Sequence, residues 1–302
     1  MKQTRASIFS RQSTGDRVFE IVNTALLALI LLVILYPLWF VVIASVSDPA
    51  KVVAGDVLLW PAGVSFEAYR MVFRDSMIMT GYRNTLYYTI LGTAINLVMT
   101  VLAAYPLSRK DWVGRGFFMA LVMFTMFFSG GTIPTYLLMN DLGLINTTWA
   151  IVLPGAVSVY NAIVMRTFFI NSIPLELQEA AQVDGCSNTR LLLRIVLPLS
   201  KPILAVMVLF YGVAHWNAFF GALIYITESD RYPLQLVLRS ILIQNTASQD
   251  MLGEVDTLGN RVMLAETIKY ALIIVSTLPM MVLYPFLQRF FEKGVMVGSV
   301  KG

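Results

Sequence analysis

The side chains best suited to chemistry in this sequence cluster between residues 211 and 220. Tyr211, His215 and Phe219 recur at i, i+4 and i+8, with Trp216 and Phe220 on the adjoining stripe and Asn217 beside them. Such a face suits a sugar: aromatic rings cover its C–H surfaces, polar tips reach its hydroxyls, and His215, the only histidine, can donate or accept. The same spacing serves interhelical packing, where aromatics fill space and polar groups find partners on neighbouring helices. Asn96 and Asn161, polar within apolar segments, carry the same two readings. Other chemistries lack their residues. One histidine builds no metal cluster, the single cysteine, Cys186, forms no intrachain disulfide, and no paired carboxylates or base-activated nucleophile stand out. The expectation is no catalytic residue, no metal, and a chain that is not an enzyme. No GxxxxGK[ST] loop is present to cradle ATP phosphates, so the chain is expected to hold no cofactor, and any ATP used would be hydrolysed by a separate subunit.

A second constellation, FINSIPLELQEAAQVDGCSNTRLLLRIVLPLSK at 169–201, is a polar island between apolar segments, and it reads as a docking surface. Pro174 opens a helix at its first turn, where its missing N–H costs nothing. Glu176 and Glu179 then lie near the positive end of the helix dipole, and Asp184-Gly185 ends it. A second helical run from Ser187 to Leu197 places Arg190 and Arg194 four residues apart on one face, with Leu191, Leu192, Ile195 and Val196 on another. Pro198 and Pro202 punctuate the approach to the next apolar segment. Two short helices at an angle, with Ala180 and Ala181 at the exposed corner, make a knob that a groove on another protein can close around. The plainer alternative is an ordinary connector.

The elements that must position both constellations follow from composition. With 57% hydrophobic and 13% charged residues and a mean hydropathy of +0.72, the chain is far more apolar than a soluble domain. Six segments approach or exceed the roughly 20 apolar residues needed to cross a bilayer: 19–45, 83–107, 116–139, 149–168, 202–226 and 268–290. The third is interrupted by Ser129-Gly130-Gly131 and Pro134, which predicts either a kink or a short span followed by a re-entrant segment. The fold class expected is all-α: a polytopic membrane protein, one transmembrane domain over 1–302, with an N-terminal tail at 1–18, a core at 19–290 and a C-terminal tail at 291–302. An N-terminus on the cytoplasmic side places fourteen of the 22 Lys and Arg residues inside and eight outside. Both termini and the polar island are therefore expected to be cytoplasmic, in contact with membrane lipid on the flanking spans. The first apolar segment is too long for the core of a cleavable signal. The net charge of +4 follows from this topology and calls for no nucleic acid. No Asp, Glu, Lys or Arg lies well inside a span, which disfavours a proton-coupled carrier or a voltage sensor.

The polar island also carries a family resemblance. Glu179-Ala180-Ala181, Gly185 after three residues, and Ile195-Val196-Leu197-Pro198 after nine more resemble the EAA loop of ABC importer permeases. Together with YGVAHWNAFFGALIYI at 211–226, RYPLQLVLRSIL at 231–242 and EKGVMVGSVKG at 292–302, they make the chain similar over nearly its whole length to the MalG-like sugar permeases of bacteria, the LplC/YtcP group among them. The resemblance implies a MetI-like six-span permease that pairs with a second, homologous permease subunit, two ABC ATPase subunits and an extracytoplasmic solute-binding protein in the bacterial cytoplasmic membrane. It implies that Glu179, Ala180, Ala181 and Gly185 form a coupling helix and its turn, anchored by Ile195, Leu197 and Pro198, and that the cargo is a carbohydrate, an oligosaccharide in particular. The tail with Gly294, Gly298 and Gly302 resembles the family's ending that can touch the ATPases. An autonomous channel, an ion-coupled carrier and an importer of a non-sugar solute are the alternatives. Between spans, residues 46–82 are expected to fold, and Leu234, Val237, Leu238, Ile241 and Leu242 predict an amphipathic helix ahead of a polar, turn-rich stretch at 245–260.

Overall fold

The computed structural model describes residues 13–251 and 267–285, and every regular element among them is helical. In order these are α1 (Thr14–Ser45), α2 (Pro49–Ala54), α3 (Glu67–Arg74), α4 (Ser76–Ser108), α5 (Arg115–Phe127), α6 (Thr132–Asp141), α7 (Thr148–Val152), α8 (Val159–Ser172), α9 (Leu175–Val183), α10 (Asn188–Leu191), a π-helical turn at Leu192–Val196, α11 (Leu197–Leu199), α12 (Lys201–Trp216), α13 (Phe220–Tyr225), a 3-10 turn at Ser229–Arg231 and α14 (Leu234–Met251). A last helix, α15, covers Thr267–Pro285. Three of them, α1, α4 and α15, are long and apolar enough to cross a membrane as single rods, and two bent pairs reach the same length together.

The expected spans meet this outcome in different ways. Segments 19–45 and 83–107 lie inside α1 and α4, each lengthened toward a side-chain cap: Ser13 with Asp16 forms a capping box on α1, and Asp75 accepts from the N–H groups of Met77 and Ile78 on α4. Segment 116–139 is two helices, α5 and α6, bent by 109° across Phe128–Gly131. A mere kink is excluded there, since Gly131 at φ +87 takes a conformation that no helix contains. Segment 149–168 is not one helix either. Helix α7 stops at Val152, ahead of Pro154-Gly155, and α8 begins only at Val159 under a Ser158 cap. Segment 202–226 splits into α12 and α13 around Asn217–Phe219. The predicted amphipathic helix is α14, and it runs on through the first residues of the stretch expected to be turn-rich. Of segment 268–290, residues 268–285 are helical; the remainder, most of 245–260 and the whole glycine-spaced tail lie outside the described residues.

The described residues form two compact units, one holding α1, α2, α3 up to Val72 and α15 up to Ile274, the other running from Phe73 to Thr246 and resuming at Val275. In the first unit the segment after α1 is folded, as expected. Asp48 caps α2 with Pro49 at its first position, Ser47 Oγ donates to Ile43 O at 2.6 Å, Ser45 Oγ lies 2.8 Å from Tyr69 Oη, and Trp39 Nε1 donates to Leu59 O at 2.9 Å. The second unit is organised on α4, which packs against α12 and α8. One stripe of α4, Thr85, Tyr88, Gly92, Asn96 and Thr100, repeats at three and four residues and is buried throughout. It is small or polar rather than apolar, which lets the α12 backbone come close and gives its side chains partners instead of lipid.

Candidate functional site

The buried stripe of α4 opens onto a cavity of about 380 Å³ lined by α4, α7, α8, α12 and α13, by the breaks between them and by Pro233. From α4 come Tyr88 and Asn96; from the interrupted fourth segment come Gly155, Ser158 and Asn161; from α12 come Phe210, Tyr211 and His215. Among the described residues, no Asp, Glu, Lys or Arg lines it. Its wall is mostly apolar with a few convergent polar side chains and no charged one, which suits apolar ring faces and hydroxyl groups rather than an isolated ion.

A relay of hydrogen bonds fixes the polar lining. Asn96 Nδ2 donates to the Gly155 carbonyl, left without a helical donor because α7 has ended, and Asn96 Oδ1 lies 2.6 Å from His215 Nε2. With the amide nitrogen assigned to Gly155, the oxygen takes the proton of Nε2, so in the neutral ring Nδ1 is the acceptor. Tyr211 Oη lies 2.6 Å from Thr100 Oγ1 and accepts from the Ser158 N–H at 3.3 Å. Tyr88 Oη donates to Arg231 O at 2.9 Å. Gly92 is where the His215 ring passes over the α4 backbone: a Cβ built there would sit 2.4 Å from Nε2.

The sequence-predicted pathway residues divide. Tyr211 and His215 reach the cavity, as do Asn96 and Asn161. Trp216 does not. It is 4% exposed, its Nε1 donates to Ser276 O at 2.9 Å and its ring meets Tyr82 edge-on at 6.1 Å, so the side chain is packed away from the cavity. Asn217 turns its amide back to Val213 O at 2.9 Å and closes α12. Phe219 and Phe220 follow the end of α12 and stay exposed, with the Arg239 guanidinium 5.7 Å over the Phe219 ring. The helical register that aligned them with Tyr211 stops at Trp216. Tyr88, Gly155, Ser158 and Phe210 were missed; the spacing of Tyr88 with Gly92 and Asn96, and the Pro154-Gly155 break, were the available signals.

These placements separate two substitutions. His215→Ala is expected to leave expression and assembly intact and to change uptake kinetics. Trp216→Ala removes about 3–5 kcal/mol of packing and is expected to lower the yield of folded protein. Size-exclusion profiles and uptake measured on the two variants check this, and equal behaviour contradicts it.

The second constellation forms the knob its sequence predicts, with two differences. Pro174 stands just before α9 as its N-cap rather than inside the first turn. At the other end Gly185 takes φ +70, its N–H donates to Gln182 O at 3.0 Å and the Cys186 N–H donates to Ala181 O at 2.9 Å, the paired bonds of a Schellman motif. Glu179, Ala180 and Gly185 are exposed, and beside them Leu175, Leu177 and Val183 show 40%, 42% and 88% of their surface. Ala181 does not stand at the exposed corner: at 7% exposure it points inward to a core shared with Tyr105, Phe169, Leu191, Val196 and Met207, where half-buried Ile195 and Leu197 also pack. Pro198 is exposed. The π-turn at Leu192–Val196 leads into α11, and an 82° bend follows at Ser200 before α12. Thus one face of α9 is rooted in the fold, and the other presents apolar side chains and a carboxylate to solvent.

Next to α9, Arg109 is buried and paired with Asp111 at 2.7 Å. The hydrogen bonds from Arg109 hold the Asp111 carboxyl below its ordinary range, and the same bonds raise Arg109 above its own. A carboxyl lowered on folding stabilises above its unfolded value and loses that contribution as pH falls through the folded one. The pair is therefore charged at neutral pH and is lost only in acid.

Comparison with known proteins agrees with this architecture. Residues 5–297 match the model of the family described as binding-protein-dependent transport system inner membrane component. Protein LplC of Bacillus subtilis (strain 168) is 40% identical, with 98% of this chain and 100% of LplC aligned. The polygalacturonan/rhamnogalacturonan transport system permease protein YtcP of the same organism is also 40% identical, over 95% of this chain and 99% of YtcP. Among solved structures, a chain of a bacterial ABC transporter involved in the import of the acidic polysaccharide alginate superposes with a TM-score of 0.84 at 33% identity, covering 93% of this chain and 99% of that one. The chain belongs to the family of binding-protein-dependent transport system inner membrane components, and it is a membrane protein of the MetI-like permease fold.

Proposed function

We propose that this chain is one of two permease subunits in an ATP-driven importer of oligosaccharides released from polysaccharides, those containing uronic acids included. The observation that carries the reading is α9, a short helix rooted on one face and bare on the other, closed by a turn that depends on Gly185. It has the size and surface of a part that enters a cleft on another protein, here one of two separate ATPase subunits. The second, homologous permease completes the translocation path, and a solute-binding protein delivers the sugar from outside. Both termini and α9 lie on the cytoplasmic side. The chain itself hydrolyses no ATP and holds no cofactor. Support for a sugar comes from the cavity, whose apolar wall carries a few polar side chains, and support for uronic acids comes from relatives named for polygalacturonan, rhamnogalacturonan and alginate.

Mild solubilisation from the native membrane, purification on a tag and mass spectrometry test the assembly. A P-loop ATPase and a second polytopic permease are expected to come with the chain, and Glu179→Lys is expected to lose the ATPase while keeping the second permease. Recovery of the chain alone, active in liposomes without ATP, overturns the proposal.

A further inference from the structure

Neither the docking surface nor the cavity uses the polar contacts gathered at the C-terminal end of α4. Arg109 caps that end and is only 6% exposed. Its Nε and Nη2 donate to the two carboxylate oxygens of Asp111 at 2.9 and 2.7 Å, and its Nη1 donates to Gln178 Oε1 of α9 at 2.8 Å. One turn earlier, Tyr105 Oη donates to Asn188 O at 3.4 Å, at the start of α10. Arg166 Nε of α8 donates to Leu107 O at 2.9 Å. A guanidinium gripped on one edge by a carboxylate is held in one plane, so the remaining N–H points in a fixed direction. That direction is the docking helix. Pro106 lies inside α4 and supplies no N–H to the ladder, and the Leu107 carbonyl beyond it takes its hydrogen bond from Arg166. From Arg109 to Asn96 the helix rises about 20 Å, and Asn96 is the residue that holds His215 in the cavity wall.

We propose that Arg109 is a positioning residue that fastens α9 to α4, so that a displacement of α9 is carried along α4 to the Asn96–His215 pair. The proposal rests on reading α9 as the ATPase-docking helix. Asp111 aims the guanidinium, Gln178 receives it, and α4 is the element that both ends share, which supplies the physical continuity that coupling between two sites needs. Ala181 and Tyr105, packed in one core, keep the two helices in register beneath the polar contact.

The test uses the assembled complex carrying Ala214→Cys, on the cavity wall, in a Cys186→Ser background. The readout is the rate at which a maleimide labels position 214 with and without ATP and vanadate. In this reference complex nucleotide trapping is expected to change the rate. With Arg109→Gln or Gln178→Leu the response is expected to shrink roughly tenfold, the scale of one lost hydrogen bond to a charged group, while ATP hydrolysis persists. Gln178→Glu, which still accepts from Arg109, is expected to keep the response, and the Arg109→Gln/Gln178→Leu double variant to be no worse than either single one. A full response in the Arg109→Gln and Gln178→Leu complexes overturns the proposal, as does Gln178→Glu behaving like Gln178→Leu. Lower yield with a normal response in whatever assembles would mean a purely structural role and also overturns it. A reference complex that lacks the ATPase or does not respond points instead to failure of the docking reading.

Discussion

Gly92→Ala is expected to destabilise the protein by about 1–3 kcal/mol, the usual cost of forcing atoms into a filled interior, and to depress uptake with it. The added Cβ would stand 2.4, 2.5 and 2.9 Å from Nε2, Cε1 and Cδ2 of His215. A free ring could swing aside cheaply. This one is tied to Asn96 Oδ1 at 2.6 Å, so moving it breaks the bond that orders the cavity wall. Either outcome of the crowding, a shifted α12 or a displaced histidine, harms the site. The cause is isolated by a double-mutant cycle: in a His215→Ala background the clash is gone, and Gly92→Ala is expected to cost almost nothing more. Thermal unfolding of the four purified proteins measures this. Additive losses would show that Gly92 acts through something other than His215.

What the sequence makes legible here depends on how local the determining physics is. The docking knob was legible because its ends are set by residues within it: Pro174 before the helix, and Gly185 after it in a conformation that L-residues avoid. Placing Ala181 inward was less so, since Glu179-Ala180-Ala181 reads alike from either side until the core beneath it is known. The cavity was half legible. Periodicity put Tyr211 and His215 on one face, and both line the cavity; Trp216, also within α12, does not. It could not foresee that Asn217 would turn its amide onto Val213 O and end the helix, because asparagine is tolerated inside helices as well as at their ends. The fourth span misled for a related reason. Its hydropathy is continuous, yet the backbone breaks at Pro154-Gly155, and the freed Gly155 carbonyl is what Asn96 binds. A transmembrane segment can break there because protein groups, rather than lipid, satisfy the exposed backbone.

Replacement of Gly185 is expected to separate backbone conformation from crowding and to abolish transport in its most severe form. Among the described residues nothing lies within 4 Å of the Cβ position at Gly185, so what restricts the site within this chain is φ +70 rather than crowding. Asparagine enters this region more readily than other L-residues, and Gly185→Asn is expected to retain most activity. Gly185→Ala should lose some, Gly185→Val more, because a β-branched residue at positive φ is strained. Proline cannot adopt the angle at all, its ring holding φ near −65°. It also removes the N–H that Gly185 donates to Gln182 O, and with the turn opened the Cys186 bond to Ala181 O has no geometry to form. Gly185→Pro is therefore expected to insert normally, since the long helices are untouched, and to transport nothing. Uptake and membrane-fraction immunoblots across the series decide it. Activity that falls in the order asparagine, alanine, valine, proline at constant expression assigns the loss to the turn, whereas normal uptake by the proline variant would mean that α9 need not hold its angle to the rest of the loop.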